Sequence, residues 1–314
     1  MLPFIDLGFT KIPSFSLMIL IGIVAYAITL YIVTEKKAEL SPKISNRMLL
    51  LSVPTVIILL ISAVFFNSLF HSIANNAIIV GGITWLSGIV TAFFAYIVLL
   101  RFFSPRTKGN EIEIAGLIIP GICLGHFFGR IGCFLGGCCF GRSTTSIFGV
   151  IFPKGSSAAE MYPGVNGKSL PVLPTQLFEA LFELILFIVL IIYFKKIKQY
   201  YLSIYLIGYS SFRFILEFFR GDSRGSVNLS LSPSQIVAII AIVAGVLIIL
   251  YQKNIIFKKI RQANLNEQCY IQKYGVYTRD KSVNMLRELK IMLDEKLISD
   301  EEYEQKRTDI LSRF

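Results

Sequence analysis

Long apolar runs, separated by shorter polar segments, occupy most of the chain. Several of the runs reach about 17 to 25 residues, which is the length that an α-helix needs to cross the hydrocarbon core of a bilayer. The runs predict seven transmembrane helices, at about residues 14–33, 48–70, 77–103, 112–129, 175–194, 201–219 and 234–251. Beyond residue 251 the sequence becomes polar and charged. The pattern therefore predicts an all-α polytopic membrane protein.

The composition supports this class. Apolar residues make up 54% of the 314 residues and charged residues 16%, and the mean hydropathy is +0.66. The net charge of +11 would suit nucleic acid, but the basic residues lie at helix ends and in the tail, where anionic lipid headgroups are nearer. No compact basic domain or base-stacking motif occurs, so no nucleic-acid partner is expected. The N-terminus lacks a basic segment before the first apolar run, which favours an uncleaved helix.

The charges in the loops predict an orientation. Basic residues are concentrated after the first, third, fifth and seventh apolar runs. They are Lys36, Lys37, Lys43, Arg47, Arg101, Arg106, Lys108, Lys195, Lys196, Lys198, Lys253, Lys258, Lys259 and Arg261. Because cytoplasmic loops hold the excess of positive charge, we expect the N-terminus outside and the C-terminus inside.

The chain divides into three predicted parts. Residues 1–252 form the seven-helix transmembrane domain, residues 253–281 form a basic cytoplasmic linker, and residues 282–314 form a short helical hairpin in which apolar residues return at helical spacing. The segment LRELKIMLDEKLISDEEYEQKR is similar to the short C-terminal domain called SHOCT, with its pattern L-x-x-L-x-x-L-x-D-x-x-L-I-x-x-E-E-Y-x-x-K. That resemblance implies an accessory or oligomerising role. A solvated amphipathic tail is the alternative.

Two arginines lie within or at the end of apolar runs. Arg130 follows the fourth run, in GHFFGRIGCFLGGCCFGR, and Arg213 lies inside the sixth run, in GYSSFRFILEFFRGD. Glu217 follows Arg213 by four residues, so the two can pair on one helix face. An arginine inside a membrane costs at least about 2.5 kcal/mol and is a candidate for function by default. A structural arginine in a salt bridge is the alternative.

Other polar residues and glycines are predicted at the same depth. Gln176 and Glu179 share a face at the outer end of the fifth helix. Pairs of glycines spaced four apart between residues 125 and 141 allow close helix approach, or let backbone amides reach a ligand. A glycine-rich turn beside an arginine suits a phosphate, which the planar guanidinium can hold through two oxygens. These features predict a site for a phospholipid headgroup near the outer surface.

Four blocks of the sequence, over about residues 10–252, resemble the prolipoprotein diacylglyceryl transferase family. GRIGCFLGGCCFGR is similar to its signature G-R-x-G-N-F-x-N-x-E-x-x-G, and LPTQLFEALFE is similar to H-P-[ST]-Q-L-Y-E. GYSSFRFILEFFRGD is similar to G-x-x-R-F-x-x-E-x-x-R, and GGITWLSGIV is similar to G-G-[ML]-S-F-H-G-G. The blocks occur in the family's order, which makes coincidence improbable.

This resemblance implies an enzyme that moves the diacylglyceryl group of phosphatidylglycerol onto the lipobox cysteine of a prolipoprotein, leaving a thioether and releasing glycerol phosphate. Its partners would be phosphatidylglycerol, prolipoprotein signal peptides and membrane lipid, with no cofactor. It would lie in the bacterial cytoplasmic (inner) membrane, with the active site toward the outer leaflet. The alternatives are a divergent transferase with another acceptor, and a non-catalytic phospholipid-binding or thiol-redox membrane protein.

The resemblance also implies roles for residues of this chain. Arg130 and Arg213 would bind the phosphate and stabilise it as it leaves. The other positions that match the motifs would line or orient the site. They are Gly132, Gly141, Gln176, Glu179 and Glu217. Arg142 and Arg220 would be headgroup contacts or interfacial anchors.

Several positions depart from the family's pattern. The histidine of the G-G-x-S-F-H-G-G block is Leu86 here, and an early tyrosine is Phe15. His126 precedes Arg130 by four residues, so it is a candidate general base. A packed or interfacial histidine is the alternative.

The signature's two asparagines and its glutamate are Cys133, Gly136 and Cys138. With Cys139, the two cysteines could bind a metal, form a disulfide or pack as small apolar residues. Because C-x-x-C-like spacing is lacking, no metal is expected.

Overall fold

The computed structural model describes residues 4–6, 11–75, 78, 80, 85–104, 109–221, 231–274, 279–295 and 297–311. Some of the predictions concern other positions. Gly81 and Gly82 of the GGITWLSGIV block, the basic residues Arg106 and Lys108, and the last three residues of the predicted hairpin lie outside the described residues.

Helices dominate the described part of the chain. They are α1 (Ser14–Tyr31), α2 (Pro42–Asn75), α3 (Trp85–Phe103), α4 (Glu111–Gly116), α5 (Ile119–Gly136), α6 (Ser157–Met161), α7 (Thr175–Ile192), α8 (Phe194–Ile197), α9 (Tyr201–Glu217), α10 (Pro233–Tyr274), α11 (Arg279–Asp294) and α12 (Asp300–Leu311). Ahead of α1, strands β1 (Phe4–Asp6) and β2 (Lys11–Pro13) form an antiparallel hairpin.

Six helical segments in the described residues are long and apolar enough to cross a membrane. They are Ser14–Lys37, Pro42–Ile73, Trp85–Phe103, Glu111–Gly136, Thr175–Ile192 and Pro233–Lys253. Large apolar side chains such as Ile23, Leu50 and Ile61 are exposed on them, as expected for contact with lipid. The prediction of an all-α polytopic membrane protein is confirmed, whereas the number of seven spans and their orientation stay predictions. The remaining predicted span, the sixth at residues 201–219, corresponds to α9, which has 17 residues and includes Arg213.

The chain forms two compact units, Met1–Ile249 and Leu250–Phe314. In the second unit α11 packs against α12, with Leu289 and Ile310 buried. These two helices agree with the helical spacing of apolar residues in the tail. Its similarity to SHOCT stays a prediction.

In the first unit α5 packs closely against α1. A Cβ atom on Gly22 would lie 2.9 Å from the carbonyl oxygen of Gly125, and one on Gly121 would lie 2.8 Å from the ring of Tyr26. No side chain fits at these positions, so the glycines allow the helix backbones to approach each other. The opposite side of α5 packs against α7.

The segment after α5 folds back onto the ends of α7 and α9. Gly137, with φ of +71°, ends α5 in the left-handed conformation, which glycine adopts without strain. The backbone N–H of Gly141 donates to the Leu173 carbonyl at 2.8 Å, and that of Arg142 donates to the Phe219 carbonyl at 2.9 Å. This segment is therefore held between the residues that precede α7 and those that follow α9.

Candidate active site

Helices α5, α7 and α9 bring most of the predicted polar residues together. Arg130, on α5, is 7% exposed, and Arg213, on α9, is 3% exposed. Glu179, on α7, is fully buried. Its Oε1 lies 2.9 Å from Nη2 of Arg130 and accepts a hydrogen bond from the Tyr209 hydroxyl at 2.7 Å. Glu179 also interacts electrostatically with Arg213, so the two arginines and the carboxylate form one buried charged cluster.

His126 lies one helical turn before Arg130 and uses both of its ring nitrogens. Its Nε2 accepts a hydrogen bond from Nε of Arg130 at 3.1 Å. Because a guanidinium nitrogen can only donate, the proton of the imidazole is on Nδ1, which lies 2.8 Å from Oε1 of Glu183. The ring also contacts Trp85, with centroids 5.0 Å apart. His126 is therefore a buried link between Glu183 and Arg130, and its role as a general base stays a prediction.

Glu183 is a member of this network that the sequence reasoning did not single out. It is fully buried, and it lies one turn beyond Glu179 on the same face of α7. The spacing of four residues within LPTQLFEALFE was the signal that could have identified it.

Arg213 is held on one side. Its Nη2 lies 2.5 Å from Oε2 of Glu217, four residues along α9. The other oxygen of Glu217 accepts a hydrogen bond from the Ser232 hydroxyl at 3.1 Å. Nη1 of Arg213 is buried and has no hydrogen-bond partner among the described residues. Buried donors are almost always satisfied, so this nitrogen is a position where an anionic ligand oxygen would bind.

Three of the predicted site residues have packing roles in the structure. A Cβ on Gly132 would lie 3.1 Å from Cβ of Met18, so this glycine faces α1 and not the arginines. A Cβ on Gly141 would lie 2.6 Å from the carbonyl oxygen of Phe219, which excludes any side chain. Gln176 donates through Nε2 to the carbonyl of Cys138 at 2.7 Å. Contact of these three residues with substrate stays a prediction.

The cysteines meet at the end of α5. The sulfur atoms of Cys133, Cys138 and Cys139 lie within 4.8 Å of one another, and each of these residues is a thiol. Hydrogen bonds from the other two thiols hold the pKa of Cys139 well below its usual value. The bond to Cys133 opposes the change at Cys138, but the bond to Cys139 and burial raise the pKa of Cys138 to about 11.

An open cavity of about 520 Å³ borders this cluster. The lining residues are Cys138, Cys139, Phe140, Ser157, Glu160 and Met161.

Leu86, at the position of the family's histidine, is buried in the apolar core.

The sequence is similar to one known protein family and to several named proteins. The profile of the prolipoprotein diacylglyceryl transferase family matches residues 3–251. A phosphatidylglycerol–prolipoprotein diacylglyceryl transferase 2 of Clostridium perfringens is 43% identical over 147 residues, which are 46% of this chain and 54% of that protein. The chain is 28% identical to a phosphatidylglycerol–prolipoprotein diacylglyceryl transferase of Clostridium tetani over 246 residues, which are 76% of this chain and 92% of that protein.

A phosphatidylglycerol–prolipoprotein diacylglyceryl transferase of Chlorobaculum tepidum is 34% identical over 179 residues, which are 55% of this chain and 57% of that protein. The chain thus spans about half the length of two of these three relatives and nearly all of the third.

Proposed function

The chain belongs to the prolipoprotein diacylglyceryl transferase family, and from this premise we propose that it transfers the diacylglyceryl group of phosphatidylglycerol to the lipobox cysteine of prolipoproteins. The resemblance predicted from four sequence blocks is confirmed by the family match. The observation that carries the proposed activity is the buried cluster of Arg130, Glu179 and Arg213, in which Nη1 of Arg213 has no hydrogen-bond partner among the described residues. A phosphate oxygen would satisfy that donor.

The reaction needs charge stabilisation at the leaving group. The acceptor thiol gives its proton to water and its sulfur attacks a carbon of the glyceryl group. A carbon–sulfur bond forms, and the bond from that carbon to the phosphate oxygen breaks. Negative charge then develops on the departing glycerol phosphate. Arg130 and Arg213 are preorganised by carboxylates in a buried site, where such donors are worth most. We assign to them the binding of the phosphate and the stabilisation of this charge.

The remaining polar residues position these two arginines. Glu179 anchors Nη2 of Arg130, and His126 anchors its Nε. Glu217 anchors Arg213 from the same helix. A displacement of about 1 Å in a reacting group can cost about 100-fold in rate. These three residues therefore affect catalysis by holding the arginines in place, without contacting the substrate themselves.

The same proposal includes a topology. We assign α9 as a transmembrane helix, the sixth of seven, and place the N-terminus outside and the C-terminus in the cytoplasm, on the basis of the basic residues in alternate loops. With this topology the C-terminal ends of α5 and α9 and the N-terminal end of α7 all lie toward the outer leaflet. The polar residues of the site are at those ends. The proposed location is a bacterial cytoplasmic membrane.

The test is a transfer assay with purified full-length protein in bilayers that contain phosphatidylglycerol. A synthetic lipobox peptide is the acceptor, and mass spectrometry detects the thioether. We expect the wild-type protein to form the thioether and Arg213→Ala to lose on the order of 100-fold or more of the rate. Arg101→Ala is the matched control, because Arg101 is ion-paired like Arg213 but its side chain is 57% exposed.

Two results would contradict the proposal in different ways. Phosphatidylglycerol consumption without peptide modification would indicate another acceptor. Binding of phosphatidylglycerol with no turnover at all would indicate a non-catalytic lipid-binding protein.

A further inference from the structure

The fold, and not the sequence spacing, brings three cysteines into one cluster. Cys133 is in the last turn of α5, whereas Cys138 and Cys139 follow the left-handed turn at Gly137. Their sulfurs lie within 4.8 Å of one another. A tetrahedral zinc ion with Zn–S bonds of about 2.3 Å holds its sulfurs about 3.8 Å apart, so shifts of about 1 Å or less would complete such a site.

The backbone that carries the cluster is held in place. Cys139 has φ of +62°, in a region that residues with side chains seldom adopt. The Gln176 side chain donates to the Cys138 carbonyl at 2.7 Å, and the Thr175 hydroxyl donates to the Cys139 carbonyl at 3.0 Å. The first turn of α7 thus fixes two of the three cysteines relative to the end of α5.

The cluster is also accessible to another ligand. All three cysteines are half-buried, and the cavity of about 520 Å³ is lined by Cys138 and Cys139. A fourth coordination position has space on that side. Three protein ligands with an open fourth position are typical of catalytic zinc, whereas a structural site has four protein ligands. Thiolates also favour zinc over the harder divalent cations.

We propose that Cys133, Cys138 and Cys139 bind one zinc ion, and that the open position of the zinc takes the thiol of the acceptor peptide. The second half rests on the function proposed above. The binding of zinc by the three cysteines does not depend on that function.

The position of the cluster suits this role. Arg130 precedes Cys133 by three residues on α5, so the phosphate-binding group and the zinc ligand share a helix face. Nε2 of His126 already accepts a hydrogen bond from Arg130, so the acceptor thiol needs another means of losing its proton. A thiol that coordinates zinc is deprotonated by the metal.

The steps balance without an oxidant or a reductant. Zinc binding releases the protons of the three cysteines to water. The acceptor thiol loses its proton to water as its sulfur binds the zinc. That sulfur then attacks the glyceryl carbon, the carbon–oxygen bond to phosphate breaks, and the electron pair stays on the phosphate oxygen. Glycerol phosphate takes a proton from water as needed, and the neutral thioether leaves the metal.

Metal binding is tested first, on the reduced full-length protein after removal of metal. Co²⁺ serves as the spectroscopic probe, and Zn²⁺ competes with it. We expect about one equivalent of Co²⁺ to give thiolate-to-cobalt charge-transfer absorption that Zn²⁺ abolishes. Each of Cys133→Ser, Cys138→Ser and Cys139→Ser should lower Zn²⁺ affinity by more than the 10- to 100-fold typical of changes outside the ligand set. Cys269→Ala, which removes a cysteine that is not one of the proposed ligands, should leave the Zn²⁺ affinity unchanged.

A second measurement needs no variant of the site. Zn²⁺ should protect Cys133, Cys138 and Cys139 of the wild-type protein from alkylation, as mapped by mass spectrometry, and should leave the labelling of Cys269 unchanged. Absence of the cobalt–thiolate absorption together with no protection would overturn the proposal.

The role of the zinc is tested in the transfer assay. We expect chelation to abolish thioether formation, Zn²⁺ to restore it, and the lipobox peptide, but not its cysteine-to-serine form, to change the cobalt spectrum. Transfer that survives both chelation and the triple serine variant would overturn the role of the metal and leave the transferase function intact. Zinc binding with no transfer by any form would keep the metal site and contradict the proposed function instead.

Discussion

The two buried arginines of the site have different surroundings. Arg130 uses Nε toward His126 and Nη2 toward Glu179, so residues of α5 and α7 fix it. Arg213 is anchored by Glu217 on its own helix, and its Nη1 is buried without a partner among the described residues. The fold thus holds Arg130 from two helices, and in the proposed function the unpartnered donor of Arg213 takes a phosphate oxygen. We therefore expect a charge-conserving change at Arg130 to affect stability and rate together, and a charge-conserving change at Arg213 to affect mainly the rate.

The largest effect is expected for Glu179→Ala. It removes the carboxylate that faces Arg130 and lies within electrostatic range of Arg213. A buried ion pair that loses one partner typically costs about 3–5 kcal/mol, because a charge is left uncompensated. We expect a loss of that size in unfolding measured in mixed detergent, with loss of transfer activity.

Glu111→Ala is the matched control for that variant. It breaks a carboxylate–arginine contact of 2.7 Å to Arg101, whose side chain is 57% exposed. Exposed pairs contribute about 1 kcal/mol or less. Equal losses of stability in the two variants would contradict the view that the Glu179 cluster is a preorganised, buried unit.

The next largest effect is expected for lysine substitutions, which distinguish the roles of the two arginines. Arg213→Lys keeps the charge but loses the planar pair of donors, and we expect the rate of transfer to fall about 100-fold or more with little change in stability. Arg130→Lys should lower the rate and also the stability, because its Nε bond to His126 is lost. Rates and unfolding midpoints are measured on both proteins. If the two variants lost rate and stability to the same extent, the proposed difference between Arg130 and Arg213 would be contradicted.

A smaller effect is expected for His126→Gln. If His126 acts by accepting the hydrogen bond from Arg130, the glutamine oxygen can replace Nε2. We then expect a loss of about 10-fold, within the range for an altered partner of a functional group, with the pH dependence of the rate unchanged. A loss of about 100- to 10,000-fold with a changed pH profile would instead identify a general base.

The smallest effect is expected for Glu183→Gln. The amide oxygen of glutamine can still accept the hydrogen bond from Nδ1 of His126, now without the negative charge. Replacing a charged acceptor by a neutral one costs about 1 kcal/mol, which corresponds to about fivefold in rate. Glu183→Leu, which has no acceptor, is the comparison in the same assay. If Glu183→Gln lost as much activity as Glu183→Leu, the charge and not the hydrogen bond would be what matters.

Much of the cluster could be predicted from the sequence. Arg213 and Glu217 lie four residues apart, and so do His126 and Arg130, and this spacing places each pair on one helix face. How each helix is rotated about its axis depends on packing, for which the sequence has no local signal. For that reason the sequence alone does not show that Gly132 faces α1 or that Glu183 reaches His126.

The cysteine cluster shows a second limit of sequence reasoning. Cys133 and Cys138 are five residues apart, and along a continuous helix they would not share a face. They meet because α5 ends at Gly137 in the left-handed conformation and the chain turns back. Spacing rules apply within one regular helix or strand. They therefore do not predict a cluster whose residues lie on both sides of a helix end.

The left-handed backbone of Cys139, with φ of +62°, has a consequence for directed evolution. Glycine adopts this conformation without strain, whereas a residue with a side chain is held there at a cost of about 1 kcal/mol or more. Selection for heat resistance alone would therefore enrich Cys139→Gly. The more stable protein that resulted would lack one of the three sulfurs of the proposed zinc site.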